Sequence, residues 1–91
     1  PPTINYEFIT NQITVLNLAI ENKSVQKPGN KGSIVLDYVP PSGKISVSAM
    51  ATGQGSGNLQ LNYNGKNLFS NPIEFNFTNG IGFINETPKL P

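Results

Sequence analysis

Apolar and polar residues alternate with a period of two along most of this chain. Ile4, Tyr6 and Phe8 alternate with Asn5 and Glu7, the pattern of a half-buried strand. From Gln12 to Glu21, Leu16, Leu18 and Ile20 fall on one face and Val15, Asn17 and Ala19 on the other. The β-branched run Ile13-Thr14-Val15, without capping residues or i,i+4 charge pairs, predicts strand here in preference to a short helix. Ser33–Val39 and Lys44–Met50 are predicted strands divided by Pro40-Pro41-Ser42-Gly43, a turn because neither proline can donate to a ladder. Leu59, Leu61 and Tyr63 alternate with Gln60 and Asn62 and run into Asn64-Gly65, a type I′ hairpin signal, from which Lys66–Phe69 returns. Ile73, Phe75 and Phe77 lead to a second such turn, Asn79-Gly80, and on to Ile81–Ile84.

Two segments read as loops. Val25–Gly32 is punctuated by Lys27-Pro28-Gly29-Asn30, and Thr52–Gly57 holds three glycines in six residues. About eight short strands spaced in this way predict an all-β fold, a single antiparallel β-sandwich, jelly-roll-like or immunoglobulin-like. Its expected core is Phe8, Leu16, Leu18, Ile20, Leu36, Val47, Leu59, Leu61, Phe75, Phe77 and Phe83. Ninety-one residues make one domain, 1–91. Residues 1–3 and 87–91 are proline-rich and read as linker-like ends, which suggests a module of a longer polypeptide.

Composition narrows the chemistry. The chain has no Cys, His, Trp or Arg, so thiol and imidazole catalysis, disulfides and zinc fingers are excluded. Six lysines against Asp37 and four glutamates give a net charge of +1, without the basic footprint of a nucleic-acid binder. No run approaches the roughly 20 apolar residues of a membrane helix, and no basic n-region followed by an apolar h-region opens the sequence, as expected where a signal peptide is lacking or has been cut away. Polarity comes instead from thirteen Asn, seven Ser and six Thr, a surface associated with extracellular and cell-surface proteins. Asn22-Lys23-Ser24, Asn76-Phe77-Thr78 and Asn85-Glu86-Thr87 fit the glycosylation acceptor pattern without requiring its use.

Glu7, Glu21, Asp37, Glu74 and Glu86 are scattered, unlike the paired carboxylates of a glycosidase, and no histidine activates any hydroxyl. No enzymatic activity is expected, and no cofactor. Clustered carboxylates for calcium are lacking, so a structural calcium would rest on loop carbonyls and Asn side chains. The positive signal is a group of amides around one tyrosine. Tyr63, Asn62, Asn64, Asn58 and Gln54 are the candidate carbohydrate-binding residues. Planar amides pair donor and acceptor with adjacent sugar hydroxyls, and an aromatic ring covers the apolar sugar face. Tyr63 also fits a core-edge tyrosine, since it alternates in phase with Leu59 and Leu61.

From Gly32 to Phe77 the order of signals resembles the jelly-roll, galactose-binding-like carbohydrate-binding modules attached to bacterial glycoside hydrolases. The residues that carry this are Ser33–Val39, Pro40-Pro41-Ser42-Gly43, Lys44–Met50, the glycine-rich Thr52–Gly57, Leu59–Tyr63 and Asn64-Gly65-Lys66. The resemblance implies a non-catalytic accessory module of a larger extracellular or surface protein, binding polysaccharide or glycan through a shallow polar loop site beside flanking domains. The alternative is an immunoglobulin-like stalk, fibre or filament subunit, self-associating through strand edges at Gln12–Ile20 and Ile73–Phe77.

Overall fold

The computed structural model describes residues 1–91. It is all-β: eight antiparallel strands in one hydrogen-bonded sheet, with no helix. Two strands dominate, β1 (Thr3–Ile20) and β4 (Val47–Tyr63), paired with each other along nearly their whole lengths. The free edge of β1 takes β3 (Lys31–Val35) along its first half and β2 (Lys23–Gln26) along its second. The free edge of β4 takes β8 (Ile81–Glu86) at its start, then β6 (Ile73–Glu74) and β5 (Lys66–Asn67); β7 (Asn76–Thr78) lies outside β8.

An extended strand of this length would reach roughly 60 Å at about 3.3 Å per residue. The molecule's longest dimension is 37 Å, so β1 and β4 must bend. The bend lies at two register shifts. Between Asn11↔Ser56 and Ile13↔Gly53, β4 advances three residues to β1's two; between Val15↔Ala51 and Asn17↔Met50, β1 advances two to β4's one. Gln12 takes positive φ (60°) and Leu16 is the extra residue, so inward positions on β1 change from Tyr6 and Phe8 to Val15 and back to Leu18 and Ile20. The folded sheet encloses one core of 18 side chains drawn from both halves, including Ile4, Phe8, Leu18, Ile20, Leu36, Ile45, Val47, Leu59 and Leu61. It is a sandwich whose two layers are halves of one sheet.

This geometry corrects several expectations. The Thr52–Gly57 segment is not a loop but the middle of β4, and its glycines serve the bend. A Cβ at Gly55 would collide with the Asn11 carbonyl, and one at Gly53 would lie 2.5 Å from the Gln12 carbonyl oxygen. Leu16, at the bulge, is half-buried and Val15 takes its place in the core. Phe77 is half-buried and Phe83 is 55% exposed, against the core positions expected for both. The Val25–Gly32 loop is shorter than expected, because Val25 and Gln26 pair with Leu18 and Asn17 in the β1–β2 ladder and Lys31 and Gly32 open β3. The strand expected over Ser33–Val39 ends at Val35. Within the expected edge Gln12–Ile20, Asn17–Ile20 are interior, with β4 on one side and β2 on the other, while residues 12–16 have no strand opposite β4; Ile73–Phe77 lies at an edge.

Other expectations hold. Asn64-Gly65 and Asn79-Gly80 all take positive φ, as type I′ turns require, and close the β4–β5 and β7–β8 hairpins. In contrast to the linker-like end expected over 87–91, residues 88–90 dock against the Gly43–Ile45 segment: the Ile45 N–H donates to the Pro88 carbonyl, the Leu90 N–H to the Gly43 carbonyl, and Leu90 is buried.

Candidate functional site

The residues expected to form a sugar site do not converge. Asn62 and Asn58 point outward on the front half of the sheet, where β3, β1, β4, β5 and β6 meet, whereas Tyr63 has the opposite phase and packs half-buried against the core. The Asn62 amide is engaged within its own hairpin: Oδ1 accepts from the Gly65 N–H (3.0 Å) and Nδ2 donates to Asn67 Oδ1 (3.2 Å). Asn64 supplies the positive φ of that turn (53°). Asn58 Oδ1 is buried without a partner. Gln54 stands exposed at the bend, beside Asn79 and Gly80. Eight residues of strand separate it from Asn62, roughly 26 Å if extended.

Two outer faces remain, and their chemistry differs. On the front half, cross-strand neighbours place Ser33, Asn5, Asn62 and Asn67 in one row and Lys31, Glu7 and Gln60 in the next. They line a depression of about 440 Å³. Its groups largely satisfy one another: Ser33 Oγ donates to Asn5 Oδ1 (2.6 Å), Lys31 pairs with Glu7 (3.6 Å), and Gln60 Oε1 accepts from the Phe69 N–H while its Nε2 donates to the Phe69 carbonyl.

The back half is organised otherwise. Residues opposite one another in an antiparallel ladder project from the same face. The registers therefore align Gln26, Asn17, Met50, Phe83 and Asn76 in one row across β2, β1, β4, β8 and β7. On one side of it runs Ser24, Ala19, Ser48 and Asn85; on the other, Thr14, Thr52, Ile81 and Thr78. None of these thirteen positions carries a charge, although the chain has eleven charged residues. Near the centre stands the Phe83 ring, 55% exposed, with Ile81 43% exposed beside it. Asn17, Ser48, Met50, Phe83 and Asn85 border a shallow hollow of about 360 Å³.

The β7–β8 hairpin explains why Phe83 faces outward. The Asn79-Gly80 turn pairs Thr78 with Ile81, which sets Phe77 opposite Gly82 and Asn76 opposite Phe83. The Phe77 ring fills the inward space over Gly82, where a Cβ would meet it at 2.7 Å, and Ile84 enters the core. Phe83 is left on the outer face. The run Ile81–Ile84 is apolar in both phases, so its own pattern could not assign a side; the turn register could have.

A cluster of charged and hydroxyl groups, Glu21, Lys23, Asp37 and Tyr38, lies at the far end of β1. Glu21 Oε2 accepts from the Ser46 N–H (2.6 Å) and Oε1 accepts from the Tyr38 hydroxyl (3.1 Å). Asp37 pairs with Lys23 (3.2 Å) and accepts from Asn22. Hydrogen bonding from Lys23 and Asn22 holds the Asp37 carboxyl below its ordinary range, and the Glu21 acceptor raises the Tyr38 phenol. These contacts tether the Leu36–Ser46 connection to the β1–β2 turn.

Comparisons with protein families, with curated proteins and with solved structures find no match to this chain.

Proposed function

We propose that this protein is a non-catalytic carbohydrate-binding module and that its binding surface is the neutral back face centred on Phe83. The observation that carries this reading is the row Gln26, Asn17, Met50, Phe83 and Asn76: an exposed ring and a thioether at the centre, with amides toward both ends. A pyranose presents a C–H face that stacks on an aromatic ring and a rim of hydroxyls that pair with amide donors and acceptors. The surface meets both needs. It replaces the loop site expected around Tyr63, whose ring packs against the core, and leaves the amide-rich β4–β5 turn a structural role.

A chemical step has less support. There is no histidine or cysteine; Glu7, Glu21 and Asp37 are each held by a Lys, a backbone N–H or a Tyr partner, and Glu74 and Glu86, which border one open depression, are both exposed. Assembly through strand edges is supported less than sugar binding, because β6 and β7 are only two and three residues long. A role in a larger extracellular or surface protein suits a ligand class of that kind. The test is a glycan array probed with wild type and Phe83→Ala. Binding lost in the variant, with an unchanged circular dichroism spectrum, supports the reading; a blank wild-type array overturns it.

A further inference from the structure

We infer that the ligand of this face is an uncharged, extended polysaccharide chain bound along its interior, lying across the strands and not along them. The inference rests on the carbohydrate reading and adds length, direction and charge to it. The row from Gln26 to Asn76 crosses five strands, and four intervals of about 4.8 Å give a platform roughly 19 Å long. That is longer than one sugar ring. A single ring stacked on Phe83 reaches Asn76, its cross-strand partner on β7, and Asn17 across the same hollow, but not Gln26, three strands away and roughly 14 Å off. Gln26 gains a function only if the ligand continues past that ring toward β2.

Shape and charge narrow the class further. The hollow is shallow and open, bordered by strand side chains, and no loop walls it off in the manner of a pocket for a chain end. A ribbon of β-linked pyranoses, with equatorial hydroxyls and apolar ring faces, can follow an open row of side chains across the strands; a coiled α-linked chain presents its ring faces less continuously to it. The thirteen positions of the three rows include no lysine, so uronate or sulfate groups would lose hydration there without an opposing charge.

The experiment is calorimetric titration of the 91-residue protein with mono-, di- and hexasaccharides of the cello-, xylo-, manno- and N-acetylchito- series, and with hexagalacturonate. In at least one neutral series the hexasaccharide should bind at least about tenfold tighter than the disaccharide, with little change on adding salt. Gln26→Ala should weaken the hexasaccharide by about two- to tenfold and leave the disaccharide unchanged, whereas Asn76→Ala, beside Phe83, should weaken both. Lys31→Ala, on the opposite face, should change neither. Equal affinity for the short and long sugars, or preference for hexagalacturonate, overturns this inference while the carbohydrate reading stands. No binding by the wild type to any sugar overturns both. Concentration-dependent dimerisation in sedimentation that Phe83→Ala abolishes, without sugar binding, assigns the face to a second copy and also overturns both.

Discussion

Gly55 lies against the Asn11 carbonyl so closely that a β-carbon at that position would overlap the oxygen. The contact sits at the first register shift of the β1–β4 ladder, where the paired strands turn from one half of the sheet into the other. A side chain there would have to push the two backbones apart, and backbone yields less readily than the end of a flexible side chain.

Gly55→Ala is therefore expected to destabilise the fold by about 1–3 kcal/mol, the range for overpacking a tight site. In a domain of this size that lowers Tm by several degrees, roughly 4–8 °C per kcal/mol. Ser56→Ala, exposed one residue along, should stay within about 0.5 kcal/mol of wild type. Thermal melts of the two variants measure the difference. Equal melting temperatures would refute the close approach.

Gln60 acts as a substitute strand for Phe69. Its amide accepts from the Phe69 N–H (3.2 Å) and donates to the Phe69 carbonyl (3.0 Å), which holds that ring in the core. Removing the amide takes that partner from three part-buried backbone groups, the Phe69 N–H and carbonyl and the Leu61 N–H (3.0 Å), and Gln60→Ala should cost about 1–3 kcal/mol. Phe69→Ala should cost about 3–5 kcal/mol. Because the first residue works by placing the second, the double variant should lose less than the sum, by at least about 0.5 kcal/mol. Denaturant unfolding of all three variants provides the cycle, and strict additivity would show the amide to be incidental.

The Glu21–Tyr38 and Lys23–Asp37 contacts act at opposite ends of the pH scale. Folding lowers the Asp37 pKa, chiefly through the hydrogen bond from Lys23. Its contribution is present above its ordinary value of 3.8 and lost as pH falls through the folded-state value. Folding raises the Tyr38 pKa through the bond to Glu21, so that contribution is complete below its ordinary value of 10.0 and lost as pH rises through the higher folded-state value. Both groups are exposed, so the changes should be small. Asp37→Asn should flatten the acid limb of the stability profile and leave the alkaline limb unchanged. Tyr38→Phe should do the reverse, read as chemical denaturation midpoints across pH.

Some of this architecture was legible in the chain and some was not, for physical reasons. Asn64-Gly65 and Asn79-Gly80 declare their turns because positive φ is a local demand met by local residues. The glycines at 53, 55 and 57 meet a different demand, the approach of a strand some forty residues away in sequence, and composition alone cannot tell that from a flexible loop. Leu16 breaks its own alternation only because the ladder with β4 slips there. The back face was hidden most completely. Its row gathers Asn17, Gln26, Met50, Asn76 and Phe83 from five strands, so no window of sequence contains it. The amides near Tyr63, conspicuous in sequence, belong instead to a hairpin in which Asn62 bonds Gly65 and Asn67.

Phe83 and Ile84 are neighbours of nearly equal hydrophobicity on opposite sides of the sheet, and they test this register most directly. Ile84 is 3% exposed and belongs to the core, so Ile84→Ala should cost about 2–5 kcal/mol. Phe83 is 55% exposed and lies outside the core cluster, so Phe83→Ala should change stability by about 0.5 kcal/mol or less despite removing the larger side chain. A one-residue slip of the β7–β8 hairpin would exchange the two outcomes, because it moves every side chain of the strand to the other face. Unfolding free energies in the expected order place the Phe83 ring on the outer face without any assumption about a ligand. The reverse order would put Phe83 in the core and remove the platform proposed for sugar binding.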